Sequence, residues 1–218
     1  MSVPAPGVKV CGIRRVEDAR LAVELGAAAI GFIFWPGSRR MVDPETAAAI
    51  SSALPDGILR VGVFVDQSAA EIGDVAVRAG ITTVQLHGSE AAADYAALGL
   101  PLVKAVPVPE IFDPSLVDAV PASVTVLLDA HDPIRRGGTG QTIDWAVAAS
   151  IAARRRTMLS GGLTAENVGE AIERVRPYMI DVSSGVESAP GVKDAVRLRA
   201  FFAAVAAATA RQEQSGLK

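Results

Sequence analysis

The chain has 218 residues, half of them hydrophobic, and a formal net charge of -3. That is enough to bury a sizeable core. The charge balance argues against a long basic face for nucleic acid or a strong pull toward acidic lipid. The one cysteine, Cys11, leaves no intrachain disulfide to form, and apolar runs such as residues 27–34 fall well short of the about 20 needed to span a membrane.

The opening residues MSVPAPG carry no apolar stretch of the secretory kind, so the expectation is a cytoplasmic chain. Short apolar, β-branched runs then alternate with longer alanine-rich amphipathic ones. In chain order the strands are expected at 8–11, 29–34, 59–65, 83–86, 102–106, 125–129, 157–160 and 179–182. They are almost wholly apolar, as parallel strands buried on both faces should be. The helices between them are expected at 16–25, 44–53, 69–79, 90–98, 114–119, 143–153, 165–175 and 194–208. Asp43-Pro44 and Asp113-Pro114 pair an N-cap with proline in the first helical position, and Thr164 offers a further cap. Gly26 and Gly80 close helices in the left-handed conformation.

Eight strands alternating with eight helices predict an α/β fold, a single (β/α)8 TIM barrel with a closed parallel eight-stranded sheet. Such a barrel of roughly 200 to 250 residues uses the whole chain, 1–218, as one domain, with 1–7 and 211–218 expected as flexible tails. A doubly wound open sheet is the alternative, but no GxGxxG follows the first strand. The arginines at 135–136 and 154–156 read as solvated loop and helix-end charge.

A barrel of this kind carries its active site at the C-terminal ends of the strands. Those ends hold Cys11, His87, Asp129, Ser160-Gly161-Gly162 and Ser183-Ser184-Gly185. The turns after the last two strands, with Gly161, Gly162, Ser184 and Gly185, are either ordinary tight turns or a phosphate site. Glycine lets backbone N–H groups approach an anion, and barrel enzymes often bind phosphate there. Gly138 and Gly140 sit in a long loop after the sixth strand, read as a linker or as a flap closing over the phosphate. Cys11 is either a small buried hydrophobe or a thiolate base. Asp129 ends an apolar run, where a carboxylate is costly unless it caps a turn or faces a site. In the second reading it is a general acid. His87 is a satisfied structural histidine or a site residue. Arg39 and Arg40 are surface charge or a fork for a carboxylate. Two histidines and one cysteine give no recognisable metal-ligand spacing, so no metal is expected.

Taken together, VKVCGI, GFIFWPGSRR, VGVFVD, VQLHG, LLDA, GGTGQTIDW, LSGGLTAENV and DVSSGVESAPGVKD run in order across the chain. In them the sequence resembles the phosphoribosylanthranilate isomerase family of tryptophan biosynthesis. The resemblance implies a cofactor-free Amadori rearrangement of a small phosphorylated substrate; the sequence leaves a monomer or a homodimer open. It implies Cys11 as general base, Asp129 as general acid and Arg40 as the holder of the anthranilate carboxylate. Gly161, Gly162, Ser184 and Gly185, with the Gly138–Gly140 flap, would hold the phosphate. His87 is expected to touch the substrate from its place at the rim, not from the resemblance. Among rival enzymes, the histidine-pathway Amadori isomerase pairs aspartates at the ends of the first and sixth strands. Cys11 at the first of these positions speaks against it. A catalytically silent binding barrel is the rival of another class, and the presence of both an acid and a base candidate speaks against that.

Alternation along the strands carries one further expectation. Lys9 shares the inward face with Cys11, and Asp181 shares it with Ser183. Closure brings the first and eighth strands together, so Lys9 and Asp181 are expected to meet inside the barrel, the alternative being water or other partners for each.

Overall fold

The computed structural model describes residues 5–109, 111–130 and 143–215. Eight parallel strands close into a barrel: β1 (Gly7–Cys11), β2 (Ala29–Ile33), β3 (Leu59–Phe64), β4 (Thr83–Leu86), β5 (Leu102–Val108), β6 (Thr125–Ala130), β7 (Thr157–Leu159) and β8 (Met179–Val182). β1 pairs with both β2 and β8, with Lys9 opposite Asp181. On the outside lie α1 (Val16–Glu24), α2 (Pro44–Ser52), α3 (Ala69–Ala79), a 3-10 helix (Ala92–Leu98), α4 (Ser115–Asp118), α5 (Trp145–Ala152), α6 (Val168–Val175) and α7 (Ala195–Ser215). A two-stranded antiparallel ribbon, β9 (Glu187–Ala189) and β10 (Val192–Lys193), follows a short 3-10 turn after β8. Among the described residues no helix is long and apolar enough to cross a membrane.

The core has two parts, as a closed barrel with an outer helical ring requires. Ala29, Val61, Val103, Ala105, Leu127, Met158 and Met179 fill the inside. A larger cluster, with Val10, Ile30, Phe32, Phe64, Leu128 and Ile180, packs the strands against the helices. Because side chains alternate along a strand, the inward positions can be followed upward. Met179 gives way to Asp181 and Ser183, Leu127 to Asp129, Met158 to Ser160, and Thr83 to Gln85 and His87. On β4, β6, β7 and β8 the inward row therefore ends in polar residues at the rim, while on β2 and β3 it stays apolar.

Several local expectations are met. Asp43 caps α2 and accepts from Thr46 N at 2.7 Å. At Asp113 the expectation is corrected: it accepts from Ser115 N at 2.9 Å, but the cap position of α4 is Pro114 and the helix starts at Ser115, so Asp113 closes the turn before the helix and Pro114 is not its first residue. Gly80 caps α3 in the left-handed region, and Gly26 lies just beyond the end of α1 with φ 103°. The arginines after α5 have structural partners. Arg154 pairs with Asp118, Arg155 donates to the carbonyls of Val117, Val120, Pro121 and Val124, and Arg156 stacks over Tyr178.

Four further expectations are corrected. The helix expected from residue 90 is a 3-10 helix beginning at Ala92. Glu90 is turned inward instead, accepting from Asp66 N and Gly88 N and pairing with Lys104. Thr164 does not cap α6, which starts at Val168 after Asn167. Asn167 accepts from Thr164 N and donates to Gly162 O, closing a turn against the loop after β7. The last helix continues to Ser215 instead of fraying at Arg211. Arg211 pairs with Glu173 and Gln212 donates to Ile172 O, which holds the extra turn on α6. At the other end, Gly7 is already part of β1 and donates to Tyr178 O.

Candidate active site

A cavity of about 420 Å³ opens at the C-terminal end of the barrel. Cys11, Arg40, His87, Asp129, Gly161, Gly162, Ser184 and Gly185 all line it. These are the predicted site residues that fall within the described part of the chain; Gly138 and Gly140 lie outside it. The apolar side of the cavity is formed by Ile33, Val63 and Val65, inward positions at the tops of β2 and β3, together with Trp35.

Cys11 ends β1 and is buried. Its neighbour on β2 is Gly31, where a Cβ would lie 2.9 Å from Sγ and 3.1 Å from Cε of Lys9. Only glycine leaves room for both side chains there. Beneath the thiol, Lys9 Nζ donates to Asp181 Oδ1 at 2.9 Å inside the barrel, the contact expected from strand alternation. Burial pushes the Cys11 thiol above its ordinary range, while the Lys9 ammonium works in the opposite direction. Burial also disfavours the charge on Lys9, but Asp181 and Cys11 outweigh it and hold the ammonium above its usual value.

Asp129 ends the inward-facing row of β6 and is 7% exposed. His87, just past β4, places Nε2 3.3 Å from Oδ2 of Asp129, and its Nδ1 lies 3.0 Å from Gln85 Nε2. With the amide nitrogen as donor, Nδ1 accepts and the imidazole hydrogen sits on Nε2, facing the carboxyl. Sequence reasoning missed Gln85 because a lone amide within a four-residue apolar strand carries no spacing signal.

The loops after β7 and β8 meet backbone to backbone. A Cβ on Gly185 would lie 1.9 Å from Leu163 O, so this approach admits no side chain. Gly161 and Gly162 both have positive φ, 94° and 60°. The resulting rim of small residues suits an anion bound by main-chain N–H groups.

Arg40 also lines the cavity and does not stand alone. Glu187, at the start of β9, accepts from Arg40 Nε at 2.9 Å and from Arg40 Nη2 at 2.7 Å. Lys193 Nζ donates to Glu187 Oε1 at 2.8 Å and to the carbonyls of Cys11 and Ser183 at 2.6 and 3.1 Å. Lys193 N in turn donates to Asp18 Oδ2, which docks the ribbon on α1. Burial opposes the charge on Glu187, but Arg40 and Lys193 prevail and hold its carboxyl below the usual value. Glu187 and Lys193 escaped the sequence reading because isolated charges in a segment of small and polar residues look solvated. Among the described residues no group of three or more His, Cys, Asp or Glu side chains is placed to hold a metal ion.

Residues 8–204 match the family of N-(5'phosphoribosyl)anthranilate (PRA) isomerase. The chain belongs to the N-(5'-phosphoribosyl)anthranilate isomerase family. A relative of that name from Pelobacter propionicus is 48% identical over 196 residues, covering 89% of this chain and 93% of its own. The crystal structure of the phosphoribosyl anthranilate isomerase from Thermus thermophilus superposes with a TM-score of 0.84 at 43% identity, covering 92% of this chain and 98% of the other. A further crystal structure is that of a phosphoribosyl anthranilate isomerase in complex with reduced 1-(o-carboxyphenylamino)-1-deoxyribulose 5-phosphate. It has a TM-score of 0.81 at 37% identity, covering 93% of this chain and 99% of the other. The family's reaction is an isomerisation in tryptophan biosynthesis.

Proposed function

We propose that this chain converts N-(5-phosphoribosyl)anthranilate to 1-(2-carboxyphenylamino)-1-deoxyribulose 5-phosphate, with Asp129 as general acid and Cys11 as general base. The observation that carries the assignment is convergence. A carboxyl from β6 and a thiol from β1 face one cavity that the glycine-rich loops after β7 and β8 and an arginine also line.

Asp129 gives its proton to the furanose ring oxygen as the C1–O bond breaks, and the nitrogen lone pair forms the C1=N iminium. The iminium acidifies the C2 proton. Cys11, as thiolate, removes it, and the C–H electron pair becomes the C1=C2 bond of an enolamine. Protonation at C1, with loss of the C2 hydroxyl proton, then yields the 2-ketone. The buried setting that makes the thiolate costly also makes it a stronger base once formed, and the adjacent iminium and Lys9 favour that form. Arg40 holds the anthranilate carboxylate, Gly161, Gly162, Ser184 and Gly185 hold the phosphate, and His87 braces the Asp129 carboxyl beside the substrate.

Cys11→Ser and Asp129→Asn test these roles. Each is expected to lower kcat by at least about 100-fold, within the usual range for general acid–base groups, while the reduced product analogue still binds with near wild-type affinity. Losses confined to KM in both variants would show that the two residues only bind.

A further inference from the structure

Arg40 is held on two of its three nitrogens before any substrate contact is considered. Glu187 takes the edge formed by Nε and Nη2. A guanidinium has five N–H donors, so the end formed by Nη1 and the outer hydrogen of Nη2 remains as a second fork, without a partner among the described residues. Arg40 lines the cavity with 16% of its side chain exposed, while Glu187 is 4% exposed and Lys193 is completely buried.

We propose that Glu187, anchored by Lys193, is a positioning residue that aims the free fork of Arg40 at the substrate's aromatic carboxylate and ties that fork to the strand end carrying Cys11. The proposal rests on the reading of Arg40 as the carboxylate holder.

Three features point this way. First, Lys193 uses its ammonium on Glu187 and on the main-chain carbonyls of Cys11 and Ser183, at the ends of β1 and β8. The arginine and the base are thereby referenced to the same backbone. Secondly, the ribbon holds Glu187 from its own backbone. Gly191 N donates to Glu187 Oε1, and the ribbon itself is fixed to Asp18 through Lys193 N. Thirdly, Glu187 engages only the Nε–Nη2 edge of Arg40, which leaves the arginine's other edge on the side chain that lines the cavity. A purely structural ion pair does not need that second edge.

The test is binding of two ligands by titration calorimetry. One is reduced 1-(o-carboxyphenylamino)-1-deoxyribulose 5-phosphate. The other is its counterpart with an unsubstituted phenyl ring. Glu187→Gln keeps the size of the side chain but can no longer accept a bidentate pair from Arg40. It is expected to weaken the carboxylate-bearing ligand by about 10-fold or more, the scale of a charge-assisted hydrogen bond. The phenyl ligand should change by less than about twofold. Glu187→Asp, which keeps the charge but shortens the reach, should lie between and serves if the glutamine variant does not fold. Equal weakening of both ligands would reduce Glu187 to a structural pair. Tighter binding of the carboxylate ligand would make Glu187 a competitor for Arg40 instead of its guide. Arg40→Leu separates the underlying reading: if it fails to discriminate between the ligands, Arg40 does not hold the carboxylate, whatever Glu187 does.

Discussion

Replacing Lys9 by methionine removes one charge from an ion pair buried inside the barrel, where only Asp181 borders the cavity. The lysine side chain is 0% exposed and its Asp181 partner 6%, with 2.9 Å between their charged atoms. Removing one partner of such a pair leaves an uncompensated buried charge and costs about 3–5 kcal/mol. For a domain of this size each kcal/mol moves Tm by about 2–4 °C, so Lys9→Met should melt roughly 6–20 °C lower. The double variant Lys9→Met/Asp181→Leu replaces the pair with apolar side chains and should recover most of that loss, because a buried pair contributes little net stability over well-packed hydrophobes. Thermal and urea unfolding followed by circular dichroism, read as a double-mutant cycle, measures both. The effect should hold across neutral pH. Lys9 is raised above its ordinary value, so its contribution is complete below about 10.5 and fades only as pH rises through the folded value. The double variant should not recover fully in chemistry, since Cys11 has lost the ammonium that opposes its burial. Its thiol, the one cysteine of the chain, should alkylate with iodoacetamide along a pH profile displaced upward. A Lys9→Met protein as stable as the wild type, or a double variant no better than the single, would refute the pairing argument.

Gly185→Ala places a Cβ 1.9 Å from Leu163 O, which forces the two anion loops apart. KM for substrate should rise by about 10-fold or more, the equivalent of about 1.4 kcal/mol, with inorganic phosphate weakened as a competitive inhibitor in parallel; unchanged phosphate inhibition would remove these loops from the anion site. Glu187 has its carboxyl held below the usual value, so its stabilisation is complete above the ordinary glutamate range and disappears as pH falls through the folded value. Wild type and Glu187→Gln should differ in urea midpoint at pH 7 and converge in acid. Arg155→Met leaves the carbonyls of Val117, Val120, Pro121 and Val124 without their shared donor. A cost of about 3 kcal/mol is expected from losing hydrogen bonds to a charged group, measured by urea unfolding, with kcat unchanged.

The barrel was legible because its strands are short runs buried on both faces, a pattern that leaves little to tertiary context. The same runs end in polar residues, so the rim of the site could be read from where each apolar run stopped, and alternation alone brought Lys9 to Asp181. What escaped depends on distant partners. Glu90 looks like a helix starter until Asp66 N, Gly88 N and Lys104 claim its carboxylate. Arg40 finds Glu187 147 positions away, and no local pattern announces it. Asn167 delays α6 because its side chain is committed to the loop it follows, a choice set by Gly162 O and not by helix propensity.

The assignment of Asp129 to ring opening and Cys11 to C2 deprotonation is tested most directly with substrate carrying deuterium at C2. In Cys11→Ser, cleavage of the C2 bond should become rate-limiting and the primary isotope effect on kcat should exceed that of the wild type. In Asp129→Asn, ring opening should limit the rate and the effect should shrink toward unity. The reverse pattern, or the same isotope effect in both variants, would contradict this division of labour.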